Sequence, residues 1–266
     1  MNVVLLHDEI RPDAREDELD VFVQADAIEA ALAELGHTGA RLPFSFDVRA
    51  ITDSLLRLRA DVAFNLVESV HGQGRLVCLA PALLDSLRLP YTGAGTEAMF
   101  ITSSKLLTKR LLHAHGIATP PWLALTGSSS DLPLPGRYII KSVWEEASLG
   151  LEDDAILDVT DAATLRREIA ARAPRLGGEA FAELYIPGRE FNLSVLAGQQ
   201  GGEVLPPAEI HFVDYPDDRP KVVGYRAKWD SASFEYHHTP RCFDFPASDQ
   251  PLVAELCQLA RTCWDL

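Results

Sequence analysis

Two lysines and two glutamates, widely separated along the chain, have the residue types that a phosphate-bearing ligand needs. Lys105 follows Ser103-Ser104, and Lys141 follows the apolar Tyr138-Ile139-Ile140. Two ammonium groups presented from different elements can hold phosphate oxygens and offset charge that develops on a transferring phosphoryl group. Further on, Glu183-Leu184-Tyr185-Ile186-Pro187-Gly188-Arg189-Glu190 sets apolar residues between carboxylates. Backbone groups of Leu184 and Ile186 can bond the edge of a purine, and the carboxylates can accept from an amino group or from sugar hydroxyls. Ser148-Leu149-Gly150 ends a loop after Lys141 that is placed to close over phosphates. Each feature has an ordinary alternative. Lysines are mostly solvated, and Pro187-Gly188 also reads as the turn of an edge hairpin. No G-x-x-x-x-G-K-S/T loop occurs, so any phosphate site rests on the separate lysines.

The elements that must carry these groups follow from periodicity. Val3 to Leu6 reads as a short buried strand, and Leu19 to Leu35 has helical spacing with Gly36 as its stop. Ala40 to Leu42 and Val62 to Leu66 read as strands flanking a helix over Val48 to Leu58 capped by Asp47. Alternation of this kind predicts a mostly parallel sheet. Leu76 to Leu87 is a further helix if Pro81 lies near its start, and Ser103 or Ser104 caps a helix through Leu112. Gly127-Ser128-Ser129-Ser130 marks a surface loop before the strand Arg137 to Lys141, and Thr160 to Arg172 reads as a helix. Strand-like stretches follow from Phe181 to Leu196 and near Val204 to Ile210, and Pro251 to Trp264 is helical. The fold class expected is α/β passing into α+β. Its domains are an N-terminal α/β domain over 1–95, a central subdomain over 96–178 and a C-terminal subdomain over 179–266.

Composition bounds the partners. The 266 residues carry a formal charge of −15, which disfavours nucleic acid and anionic membranes, since both select a basic face. The opening apolar stretch ends within a few residues at His7-Asp8-Glu9, giving neither a signal peptide nor a spanning segment, so a cytoplasmic location is expected. Cys78, Cys242, Cys257 and Cys263 form no Cys-x-x-Cys pair and fit reduced thiols. His113 and His115 stand about 200° apart on a helix, so they do not share a metal in the manner of an i, i+4 pair. Extended His237-His238 points to opposite sides, and no zinc site is assigned.

The residues resemble the ATP-grasp superfamily and, within it, the D-alanine–D-alanine ligase-like carboxylate–amine ligases. The resemblance rests on His71-Gly72, Leu89-Pro90-Tyr91-Thr92-Gly93-Ala94-Gly95, Ser104-Lys105-Leu106-Leu107-Thr108-Lys109, Ile140-Lys141, Phe181-Ala182-Glu183 through Glu190-Phe191, Leu205-Pro206, Glu209-Ile210 and Ala227-Lys228-Trp229, in the family's order. It implies an ATP-grasp architecture in which two subdomains clamp ATP, the last one incomplete here. Lys105 and Lys141 would contact ATP phosphates, with Ser148 in the covering loop. Glu183, Leu184, Tyr185 and Ile186 would line adenine, Glu190 would take the ribose, and Lys228 would reach the terminal phosphate. His71 is a catalytic candidate by its family position. The implied reaction phosphorylates a carboxylate and lets an amine displace phosphate to give an amide, with Mg2+ bridging the phosphates. The partners implied are small carboxylate and amine substrates, and a homodimer is compatible with them.

Three departures shape what is expected. Leu6-His7-Asp8-Glu9-Ile10-Arg11-Pro12 stands where the D-alanine ligases have a glycine-serine loop with a glutamate. Glu145-Glu146-Ala147-Ser148-Leu149-Gly150 replaces a Glu-Gly-Ser-Ser-x-Gly pattern, so another substrate than D-alanine is expected. The family's Arg-x-Asp strand and Glu-x-Asn metal pair would lie past Leu266, so no metal ligand is assigned within the chain. The alternative to a ligase is a nucleotide-binding module without turnover.

Overall fold

The computed structural model describes residues 1–127, 129–217 and 219–266; of the loop expected at 127–130, Ser128 lies outside them. Its contacts form two units. One is Met1–His115 with Ser142–Leu149 and Ala170–Phe181, and the other is Gly116–Lys141 with Gly150–Ile169 and Ala182–Leu266.

The first unit begins β1 (Asn2–Asp8), α1 (Glu16–Glu34), β2 (Thr38–Phe44), α2 (Val48–Leu58), β3 (Val62–Leu66). Its three strands are parallel in the order β2-β1-β3. The central β1 carries the unbroken apolar run Val3 to Leu6 because both its faces are covered. Val4 and Leu6 pack with Phe44, Ile51, Leu55 and Leu84, whereas Val3 and Leu5 pack with Ala25 alongside Ile28 and Leu32. Leu5 and Leu6 are fully buried, each contributing about 1.5–3 kcal/mol. Asp47 accepts from the Ala50 amide at 2.9 Å and caps α2 as expected.

Then come α3 (Leu79–Leu87), α4 (Thr96–Ser103) and α5 (Lys105–Ala114). The helix expected from Leu76 starts later, after a 3-10 turn over Gly74–Leu76. Pro81 becomes the third residue of α3, where a missing N–H costs no helical bond. Ser104 ends α4 in an extended conformation and caps α5, accepting from the Leu107 amide at 3.3 Å.

The second unit is built on β4 (Trp122–Ala124), β5 (Gly136–Ser142), β6 (Ile156–Val159), α6 (Ala162–Arg172) and β7 (Ala180–Leu184), the unit boundary running through β5, α6 and β7. The strands form one sheet in the order β4-β7-β5-β6, with β5 and β6 antiparallel. There follow β8 (Glu190–Asn192), β9 (Val195–Gly198), β10 (Gly201–Val204), β11 (Ala208–Ile210), α7 (Tyr225–Trp229), α8 (Phe234–His237), β12 (Arg241–Cys242) and α9 (Gln250–Trp264). β9 and β10 make an antiparallel hairpin, and β12-β11-β8 an antiparallel sheet. A parallel sheet early in the chain and antiparallel sheets later match the expected passage from α/β to α+β. Among the described residues no helix is long and apolar enough to cross a membrane.

Candidate functional site

In the second unit, β5 buries Tyr138, Ile139 and Ile140 in succession, so Lys141 leaves the sheet directly after a covered stretch. β7 lies beside β5, and the Lys141 ammonium meets the Glu183 carboxylate at 2.6 Å. The pair is partly desolvated, its side chains 29% and 12% exposed. Beyond Glu183, the Leu184 amide donates to Pro121 O at 2.8 Å and the Tyr185 amide to Arg137 O at 2.9 Å. Ile186 is 57% exposed. The chain thus leaves the sheet past Tyr185, from the interior strand β7.

Glu190 opens β8 and feels both lysines. Burial pushes its carboxyl above the usual range, while the charges of Lys141 and Lys228 and the Val223 amide pull it down. Arg189 next to it is fixed by a two-pronged bond to Glu209, at 2.7 and 2.6 Å, and by Asp249 at 2.7 Å. Forked guanidinium contacts of this kind set orientation as well as charge.

Lys228 lies on α7, and the segment leading to it is stitched down at alternate residues. The Lys221 amide donates to the Tyr185 hydroxyl at 3.2 Å, and that hydroxyl lies 3.3 Å from Lys221 O. Val223 N–H bonds Glu190, and Tyr225 N–H donates to Leu151 O at 3.1 Å. Lys141, Glu183, Tyr185, Glu190 and Lys228 are therefore brought together in one unit, which holds cations for a polyanion beside a carboxylate able to accept from hydroxyls.

The first unit holds Lys105, His71 and Ser148. Lys105 is the first residue of α5; its ammonium bonds Glu145 O at 2.8 Å and the Glu146 carboxylate at 3.0 Å. Ser148 and Ala147 both have left-handed backbones, with φ of 61° and 56°. His71, also left-handed at φ 52°, stacks on Phe46 at 4.8 Å and lies 4.0 Å from the Glu9 carboxylate.

No family model matches the sequence. The D-alanine–D-alanine ligase of Gluconobacter oxydans is 31% identical over 199 residues, which are 73% of this chain and 62% of that protein. The D-alanine–D-alanine ligase of an Anaeromyxobacter species is 29% identical over 257 residues, 94% of this chain and 76% of that protein. The crystal structure of the Bacillus anthracis D-alanine–D-alanine ligase complexed with ATP superposes with a TM-score of 0.67 over 99% of this chain and 76% of that one, at 17% identity. By these similarities the chain is D-alanine–D-alanine ligase-like, and it shares the ATP-grasp fold of the solved ligases. It spans less than two thirds of the length of the Gluconobacter relative.

In this ligase-like chain a second feature of the first unit is a cavity of about 510 Å3, open mouth included, lined by Asp8, Arg15, Asp17, Glu68 and Glu145 among others. Asp8 is buried and accepts from the amides of Glu68 and Ser69 at 2.8 and 3.2 Å and from the Ser69 hydroxyl at 2.7 Å. Burial nonetheless raises its pKa, as it does for Glu68 and Glu145. A carboxyl whose pKa is higher folded than unfolded takes up protons on folding, so stability falls as pH rises through the raised value and grows as pH drops toward it. Glu209 shifts the other way, lowered by its bonds to Arg189, so its contribution is lost only below the usual carboxylate range. As pH drops from neutral through the raised values of these three carboxyls toward the usual carboxylate range, the thermal midpoint is expected to rise. Melts across that window check this, and a steadily falling midpoint contradicts it.

Sequence reasoning missed the Tyr185–Lys221 stitch and the Glu146–Lys105 contact. The second had a signal: the replaced glycine of the loop pattern brought a charge with it.

Proposed function

We infer that this chain carries the ATP-binding part of a carboxylate–amine ligase. Lys105, Lys141 and Lys228 take the phosphates, with Ser148 in the covering loop. Leu184 and Ile186 offer backbone groups to adenine beside Glu183 and Tyr185, Glu190 accepts from the ribose, and His71 serves the substrate side. The observation that carries the reading is the grouping of Lys141, Glu183, Glu190 and Lys228 around the hinge, in a chain related to named ligases. The division into domains at about residues 95 and 178, a cytoplasmic location and compatibility with a homodimer belong to the same proposal.

In the reaction, a carboxylate oxygen bonds to the terminal phosphorus as the bridging bond to ADP breaks. The amine nitrogen then bonds to the acyl carbon, phosphate leaves, and the nitrogen gives up a proton. Lysines aimed at the oxygens that gain charge stabilise this transfer. Mg2+ is expected to accompany the phosphates. Among the described residues no group of three or more His, Cys, Asp or Glu side chains could hold a metal, so no step is assigned to it.

The carboxylate is bulkier or differently charged than D-alanine. Support comes from Ala147, which lacks a hydroxyl, and from the acidic lining that Asp8, Asp17 and Glu68 give the first-unit cavity. ADP release by the protein should be stimulated by an amine paired with an L-amino acid or short peptide about tenfold or more over D-alanine. Fastest release with D-alanine sinks the substrate reading. A nucleotide-binding module without turnover is the second reading, favoured by the lack of a metal-ligand group among the described residues. ATP binding with no ADP release for any pair selects it.

A further inference from the structure

We propose that Glu146 is a displaceable counter-ion for Lys105, occupying the ammonium where a nucleotide phosphate would sit and thereby setting nucleotide affinity. The proposal rests on the reading of Lys105 as a phosphate ligand.

Lys105 is poorly placed to stand without an anion. It is the first residue of α5, where the positive end of the helix dipole disfavours a cation. Its side chain is only 27% exposed, so water compensates its charge incompletely. The compensation comes from one short loop, through Glu145 O at 2.8 Å and a Glu146 carboxylate oxygen at 3.0 Å.

These two contacts differ in how easily they can be replaced. Glu145 is built into the base of the loop: its amide donates to Ser142 Oγ at 2.9 Å, and Ser142 Oγ donates to Leu176 O at 2.8 Å. Its carboxyl is held near the Gly74 amide, and its side-chain atoms lie where a Cβ on Gly177 would fall. The Glu146 side chain is 63% exposed and is held by Lys105 alone among the described residues. An exposed carboxylate in a single ion pair is weakly held, and a phosphate brings more charge and more acceptor oxygens to the same ammonium. Releasing Glu146 also removes one of the two bonds that tie the Lys105 ammonium to the loop ahead of the left-handed Ala147 and Ser148. Phosphate binding and loop position are coupled in this way.

The test is a double-mutant cycle in ATP affinity, measured by titration calorimetry on the wild-type protein, Glu146→Gln, Lys105→Ala and the double variant. Glu146→Gln keeps the side-chain length and removes the charge, and ATP binding should tighten about fivefold. In the Lys105→Ala background the same change should have less than about half that effect, because its benefit passes through Lys105. If the wild type binds ATP and Glu146→Gln binds equally or more weakly, the counter-ion role is overturned while the nucleotide reading stands. A gain undiminished in the Lys105→Ala background also overturns it, since general charge relief then accounts for the effect. If neither the wild type nor Glu146→Gln binds ATP, the nucleotide reading fails and this inference falls with it. Binding that appears only on Glu146→Gln upholds both.

Discussion

Lys141→Ala should weaken ATP binding by about a hundredfold, whereas Lys221→Ala should change it by less than about threefold. A charge-assisted hydrogen bond contributes roughly 1.5–3 kcal/mol, and tenfold in affinity corresponds to about 1.4 kcal/mol. Removing Lys141 deletes such a bond to phosphate and also leaves the Glu183 carboxylate, 12% exposed, without its 2.6 Å partner beside an incoming polyanion. Repulsion then adds to the lost attraction. Lys221 is the suitable comparison because its side chain is exposed, and the contacts that hold it to Tyr185 use only its backbone. Lys109 is no such comparison, because it is 5% exposed and engaged within the protein, so its loss would disturb α5. Calorimetric titration with a thermal melt of each variant separates binding from folding. A Lys141→Ala protein within threefold of wild type, and equally stable, would remove Lys141 from the site.

What the sequence reveals depends on how far apart the interacting groups lie. β1 is legible because a strand covered on both faces is an unbroken apolar run, and α2 because Asp47 caps eleven residues of helical spacing. α4 escapes: Gly93-Ala94-Gly95 reads as loop, and Gly95 caps the helix without a side chain to announce it. α7 and α8, of five and four residues, are too short for any period to show. The site divides similarly. Lys141 stands out by following three apolar residues, and Glu183 and Glu190 by their spacing in the hinge. The bonds between Tyr185 and Lys221 join backbone groups to a hydroxyl 36 residues away, and side-chain identity at Lys221 gives no hint of them. Lys109 misleads for a related reason: a charged residue on a helix is normally solvated, and only packing shows it to be covered.

Gly224→Ala should destabilise the protein by about 2–3 kcal/mol and, at temperatures where the variant is folded, weaken ATP binding about tenfold. Gly224 precedes α7 with φ −77° and ψ −174°, a conformation open to any residue, so the requirement is for space. A Cβ there would lie 2.4 Å from Leu151 O, a backbone atom that has no rotamer to yield. That carbonyl also accepts the Tyr225 amide at 3.1 Å. Making room for a methyl group therefore pushes apart the two strands of chain that this bond holds together. The shift passes along α7 to Lys228 and back to Val223, whose amide bonds Glu190, so both ends of the proposed phosphate and ribose contacts move. Gly188→Ala offers the stability control, because nothing lies within 4 Å of a Cβ at that position; it should stay within about 0.5 kcal/mol of wild type. Urea denaturation of both variants, followed by ATP titration of Gly224→Ala, decides the matter. Wild-type stability and affinity in Gly224→Ala would mean that the contact with Leu151 has slack and that Lys228 does not depend on it for its position.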